Sequence, residues 1–365
     1  MVAGDANDGV NAGTGFSFQK CSALLLILAN FHFYENKKYF LFFEHHDDFL
    51  FAFLNDEDEL EIVDAYQSKK SSSDWGSDKE LAEIISKLSV SGKNLRNDKS
   101  YPKCANYNHR LIFITNKPTN LNNGLSGKLK QKVKVATDND FFNFINLNNT
   151  IKTNLVDKIR VGGFSFDRVE LDSVCFQYVD LVDRHSSNKE RLIGKMVRIF
   201  GSEVSDYPAA VDVLITMFNE AELTFNQGGQ ARLIDASKRI TNVDINNAIG
   251  ILRKEKKAYD FWRKHSVELS SELKIKLYYQ RKSKEYLYNC FDYFKDLSSV
   301  EFLKILYFVR DNEHIDGDCF SEKEGVVKLY QEFIKSNKTS LQPYMVAFAI
   351  IAAYIETRSS CDSYI

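Results

Sequence analysis

The sequence predicts a mixed α/β fold, with a sheet built from the first part of the chain and an all-helical region after it. Three observations carry this. Between Lys38 and Lys70 lie three short apolar runs separated by polar turns. A fourth run, Arg110–Thr115, follows an intervening amphipathic segment. Beyond Tyr207 the strand signal fades, and segments of helical period take over. At 365 residues the chain is long enough for two domains. The expected organisation is an arm over 1–14, a mixed domain over 15–205 and a helical domain over 206–365.

In chain order, the first fourteen residues are mostly Gly, Ala, Asn and Asp and read as a flexible arm. Gly15-Phe16-Ser17-Phe18-Gln19 opens an apolar stretch reaching Phe33, whose Leu and Ala content favours a buried helix. Tyr39–Glu44, Phe49–Leu54 and Leu60–Gln67 are strands, the last two joined by the polar turn Asn55–Glu59. Ser77 or Asp78 can cap a helix over Lys79–Leu88, with Leu81, Ile84, Ile85 and Leu88 on one face. Ser89–Asn108 reads as irregular. A further alternating piece around Val174, Phe176 and Tyr178 is a last strand, and Asn188–Phe200 is an amphipathic helix. The remaining helices are expected over Ala209–Phe218, Asp244–Arg253, Lys254–His265, Leu273–Lys295, Ser299–Arg310, Glu322–Ser336 and Pro343–Glu356.

Composition narrows the function classes. The chain is 44% hydrophobic and 27% charged, with a net charge of -2, so any nucleic-acid surface must be local. Six scattered cysteines form no CxxC pair, which fits reduced thiols and a cytoplasmic protein. Neither Ala23–Ala29 nor the run QPYMVAFAIIAAYI near the C-terminus reaches the ~20 residues that span a bilayer. No GxxxxGK[ST] or GxGxxG occurs, so nucleotide hydrolysis is not expected.

The chemistry-bearing groups collect at the ends of the first strands. Asp48 starts the second strand and Gln67 ends the third, so an antiparallel pairing brings them side by side. Gln67 and Lys69, two residues apart, project to the same face. Glu44 ends the first strand and can reach that edge, and Asp47 competes with Asp48 for the metal-facing position. Carboxylates beside an amide oxygen and the Ser68 carbonyl are hard ligands suited to Mg²⁺ or Mn²⁺. A neighbouring lysine can orient water or hold a phosphate oxygen. A surface hairpin with chance polar ends is the alternative. His45 and His46 read as exposed turn residues.

Helix, three strands, helix and strand is also the order of the restriction-endonuclease-like αβββαβ core of the PD-(D/E)XK nucleases, which carry a catalytic Asp on the second strand and (E/Q)-x-K on the third. With Gly15–Gln19, the Glu44-x-x-Asp47-Asp48 segment and Tyr66-Gln67-Ser68-Lys69, the chain resembles the nuclease domain of anti-phage effectors of CBASS and Lamassu systems. The short helical remainder makes it most similar to the Lamassu nuclease subunit family, LmuA. The resemblance implies catalytic roles for Asp48, Gln67, Lys69 and Glu44, metal binding by Asp48, Gln67 and Glu44, and support from Gln19 and Asp47. It implies double-stranded DNA as substrate, an SMC-like ATPase and a possible third subunit as partners, and restraint until release or homo-oligomerisation. A non-catalytic DNA-binding or assembly subunit is the other reading.

Two weaker signals are basic. Gly127–Lys134 alternates lysines with other residues, as an exposed strand or a phosphate-facing strip in which Lys128, Lys130 and Lys132 join Lys70. Arg253–Lys284 is the densest basic region, with aromatics interleaved, and reads first as solvated helix faces. Asp311–Asp318 is an acidic turn: its glycine falls at the seventh position instead of the sixth of a calcium loop, and Ile315 takes a ligand position.

Overall fold

The computed structural model describes residues 8–45, 47–182, 185–204, 206–223, 233 and 235–358. The side chains of Glu44, His45 and Asp47 lie outside that description, as does all of His46. The chain divides into two compact units. The first holds the chain up to Ile199 together with Tyr207–Asn246, and the second holds Phe200–Asp206 and the chain from Asn247 onward.

The first unit opens with helix α1 (Asp8–Ala29) and the short α2 (Phe31–Glu35). Strands β1 (Tyr39–His45), β2 (Asp47–Leu54) and β3 (Leu60–Lys69) then form an antiparallel meander. The two-residue β4 (Trp75–Gly76) leads into α3 (Lys79–Asn97), which crosses over to β5 (Lys103–Thr115), parallel to β3. After β6 (Thr119–Asn122), β7 (Lys132–Val135) and β8 (Phe141–Asn143), helix α4 (Asn149–Val161) leads to β9 (Val174–Tyr178), parallel to β5. Helices α5 (His185–Phe200) and α6 (Tyr207–Leu223) and strand β10 (Ile240–Thr241) follow. The main sheet has the order β10-β1-β2-β3-β5-β9-β8, and β4-β6-β7 form a small second sheet.

Both faces of the main sheet are covered, which explains why its strands read as near-continuous apolar runs. On one face, Phe42, Leu50, Ala65, Leu111 and Phe176 pack against α3 and α4. On the other, Phe49 stacks on Tyr66 with ring centroids 4.6 Å apart, and Phe43 meets Phe218 of α6 at 5.6 Å. Helix α1 packs on β2 and β3 from this second side, since none of its apolar residues enters the α3/α4 core. Each fully buried Phe or Leu contributes about 1.5–3 kcal/mol.

Several sequence expectations shift. Helix α1 begins at Asp8, inside the stretch read as an arm. Once Phe18–Ala29 has nucleated a buried helix, extending it into poor helix formers costs little per residue. Helix α3 continues nine residues past Leu88. Its buried small residues Ser89, Ser91 and Gly92 let it lie close against β5. Residues 103–108, read as irregular, belong to β5. Helix α6, which lies beyond the expected boundary at 205/206, packs with the sheet through Phe218 and through a buried Lys20–Glu222 pair.

The division between units falls within α7 (Asn242–Glu272), a single helix where two were expected. The second unit continues with α8 (Leu277–Gln280), α9 (Ser283–Tyr293), α10 (Val300–Asp311), α11 (Glu322–Ser336) and α12 (Pro343–Arg358). Every residue of α12 from Val346 to Ile355 is buried, so the apolar C-terminal run is the core of this unit, with α9, α10 and α11 packed on it. No helix among the described residues is long and apolar enough to cross a membrane. Glu313–Asp318 forms a 3-10 turn in which Asp316 accepts a hydrogen bond from Arg358 Nε at 2.7 Å, as an acidic turn would.

Candidate active site

The β1–β2–β3 meander sets the geometry of the candidate site. Phe43 pairs with Phe49 and His45 with Asp47, so the intervening register step places Glu44 opposite Asp48. On the other side of β2, the pairing with β3 ends at Phe49 and Tyr66, the neighbours of Asp48 and Gln67. By strand alternation Gln67 and Lys69 continue Val63 and Ala65 toward the α3 side, and the Asp48 carboxylate reaches across to Ser68 between them. Asp48 and Gln67 are half-buried and Lys69 is exposed. The polar groups therefore stand where the apolar face runs out.

One interaction was not visible in the sequence. The Ser68 backbone N–H and its hydroxyl both donate to Asp48 Oδ2, at 2.7 and 2.8 Å. Ser68 is buried and Asp48 half-buried, so this double contact is partly sheltered from water. It occupies one carboxylate oxygen and leaves Oδ1 without a partner among the described residues. The residue between Gln67 and Lys69 thus holds the acid that faces them across the strand pair.

The surroundings are built by the ends of β3 and β5. Lys69 is level with Thr115, whose Oγ1 accepts the indole N–H of Trp75 at 2.9 Å. Trp75 meets Phe113 edge-on at 5.1 Å, and the Ser71 N–H donates to Asn116 Oδ1 at 2.9 Å, tying the loop after β3 to the end of β5. Helix α3 starts nearby on its Asp78 cap, which accepts from the Leu81 N–H. Its Glu83 carboxyl is held below the usual range, first by the hydrogen bond from Lys87 and also by the charge of Lys69. Glu83 is half-exposed and paired with Lys87 at 2.8 Å.

The other predicted residues fall as follows. Gln19 sits half-buried on α1, on the opposite side of the sheet from the α3 core, and its Oε1 is a buried oxygen without a hydrogen-bond partner. Lys70, Lys128, Lys130 and Lys132 are all exposed. Lys128 lies in a 3-10 turn, Gly127–Leu129, and Lys132 on β7, so the basic run is a turn followed by a strand. Within β7 the lysines alternate with the inward Val133 and Val135. The small sheet follows directly on the ends of β3 and β5, the end of the main sheet that carries Lys69.

The donor chemistry suits a hard cation: a carboxylate oxygen of Asp48 and the amide oxygen of Gln67 share one edge. Among the described residues no three His, Cys, Asp or Glu side chains gather as a metal site. The sheet edge with its acid, amide and lysine has the donor types that phosphodiester hydrolysis uses.

A family model, Cap4 dsDNA endonuclease domain, matches residues 7–221. That is more than half of the chain and includes α1, the whole meander, β5, β9 and α6. The chain belongs to the Cap4 double-stranded-DNA endonuclease domain family, which places it among the DNA endonucleases of anti-phage defence. No curated protein and no solved structure gives a significant match.

Proposed function

We propose that this chain is a metal-dependent endonuclease that cuts double-stranded DNA at the edge formed by Asp48, Gln67 and Lys69, within a restriction-endonuclease-like core. What supports this is the double contact by which Ser68, between Gln67 and Lys69, holds the Asp48 carboxylate. Asp48 and Gln67 would hold Mg²⁺ or Mn²⁺, with Glu44 opposite Asp48 as a further ligand and Asp47 in support. The cation would supply Lewis acidity and neutralise charge developing on the phosphate. Lys69 adds a mobile positive charge beside it and orients the attacking water. Lys70, Lys128, Lys130 and Lys132 contact the duplex backbone.

In this reading the protein is the effector subunit of a Lamassu-type defence complex. It works with an SMC-like ATPase, and with a third subunit where one is present, and the second unit docks those partners. Its activity is restrained until release or homo-oligomerisation, because an enzyme of near-neutral charge with no evident base-specific reader would otherwise attack the host chromosome.

The test is cleavage of supercoiled plasmid by the purified full chain, with Mg²⁺ and with EDTA. Wild type nicks and linearises the plasmid only with the metal, and Lys69→Ala, with an unchanged unfolding midpoint, does not. Undiminished cleavage by Lys69→Ala removes the assignment. Metal-independent binding by a wild type that never cuts, alone or oligomerised, supports the non-catalytic reading.

A further inference from the structure

Several cations of the second unit are neutralised locally. Arg253 pairs with Glu203, Lys254 with Glu356, Lys256 with Asp260, and Lys323 with Glu268 and Glu272. The turn from the end of α7 through α8 to the start of α9 is different. Residues 273–284 read LKIKLYYQRKSK, with five cations and no acid. Lys274, Lys276, Arg281 and Lys282 are exposed and make no ion pair among the described residues. Lys282 lies 5.8 Å over the exposed Tyr278 ring, whereas Lys284 lies over the half-buried rings of Tyr259 and Tyr288 and is not counted with the four.

This turn is also rigidly built. Leu273 and Ile275 are buried, the Gln280 amide donates to the Ile275 carbonyl at 2.7 Å, and Tyr279 stacks on Tyr344 of α12 with centroids 3.7 Å apart. The inward residues hold the loop and the cations alternate outward. Leu277 and Tyr278 stand beside them, 61% and 62% exposed. Lys274 adopts φ +55°, the left-handed position that commonly follows a helix. Glycine is the residue that occupies it without strain, so a lysine there costs stability.

We infer that the α7–α8–α9 turn is a second duplex-DNA backbone contact, in which Lys274, Lys276, Arg281 and Lys282 neutralise phosphates. The reading of the chain as a DNA endonuclease supplies the choice of duplex DNA over an acidic protein, but the contact itself requires no cleavage. Four neighbouring cations without acids match a phosphate run, whose affinity comes from counterion release and falls steeply with salt.

The experiment uses full-length protein carrying Lys69→Ala, in EDTA, with a labelled 30-base-pair duplex followed by anisotropy across a salt series. Adding Lys274→Gly, Lys276→Ala and Lys282→Ala should lower the salt slope by about 3 and weaken binding at 0.1 M salt roughly a hundredfold. Lys274→Gly alone relieves the left-handed strain, so its unfolding midpoint should hold or rise while its affinity falls. That separates loss of binding from loss of fold. Tyr278→Phe, which keeps the ring under Lys282, should leave duplex binding unchanged. An unaltered affinity and slope in the triple variant overturns the inference. So does a loss confined to single-stranded DNA in Tyr278→Ala, which would make the turn a base-stacking platform. Failure of cleavage in wild type leaves this binding result standing, so the two readings fail separately.

Discussion

Ser68→Ala tests the candidate site more sharply than removal of an acid, because it leaves every proposed ligand in place. It deletes one of the two hydrogen bonds on Asp48 Oδ2, the 2.8 Å contact from the hydroxyl, and keeps the 2.7 Å contact from the backbone N–H. A hydrogen bond to a charged group is worth about 1.5–3 kcal/mol. Asp48 is half-buried, so water replaces part of what is lost, and the lower end applies. About 1.4 kcal/mol corresponds to a tenfold change, so roughly tenfold weaker metal binding is expected, with a single-turnover cleavage rate lowered to match at subsaturating Mg²⁺. Titration calorimetry with Mn²⁺ reads the first and plasmid cleavage the second. Ser68→Thr retains the hydroxyl on a residue suited to a strand and should restore both. The variant removes only one oxygen, so its urea midpoint should stay close to wild type. If metal affinity and rate are unchanged in Ser68→Ala while the fold is intact, the carboxylate does not depend on this contact and the positioning argument fails.

Three further outcomes follow from buried groups. Lys20→Met should destabilise the first unit by about 3–5 kcal/mol in urea, since it strands Glu222 without its buried partner, whereas Lys20→Met with Glu222→Leu should recover most of that; equal losses in both refute it. Gly92→Ala puts a Cβ 2.6 Å from Leu111 Cδ1 and 2.8 Å from Glu170 Oε2, and the overpacking should cost about 1–3 kcal/mol by thermal unfolding. Burial first, then the nearby Asp292, pushes Glu255 up to about 7, against Lys295 and Lys284. The native state then holds a proton that the unfolded state releases near 4.5, so stability present at low pH is lost as pH rises through about 7. Glu255→Gln should flatten that slope and stabilise the second unit by about 1 kcal/mol at pH 8, after allowing for partial exposure; an unchanged pH profile in urea titrations would exclude the shift.

Much of the scaffold was legible because local signals agree with the tertiary answer. The meander was readable from three apolar runs and its Asn55–Glu59 turn, and the start of α3 from Asp78, which does cap it. The C-terminal run read as a buried helix because it is apolar on all sides. The second half of α3 was not legible, since Ser89, Ser91 and Gly92 carry no hydrophobic period. Their smallness acquires meaning only against β5 and Glu170. Helix α7 was divided at its run of charges, which are solvated and leave the backbone free to continue. Strand β10, two residues long, pairs with β1 across some two hundred positions of sequence, beyond the reach of any local pattern.

For the site the division is similar. The sequence by itself determined that Gln67 and Lys69 share a face, because a strand alternates with period two whatever it packs against. It also determined that acids lie at the junction of the first two strands. Tertiary structure decided the rest. Pairing of β2 with β3 at Phe49 and Tyr66 brings the neighbouring Asp48 and Gln67 to one end of the sheet. The Ser68 contacts on Asp48 depend on groups converging across neighbouring strands, and Gln19 falls on the other side of the sheet because α1 packs there. Periodicity along one strand is a local property of the backbone, whereas register and convergence are set by how separate elements bury their apolar faces together.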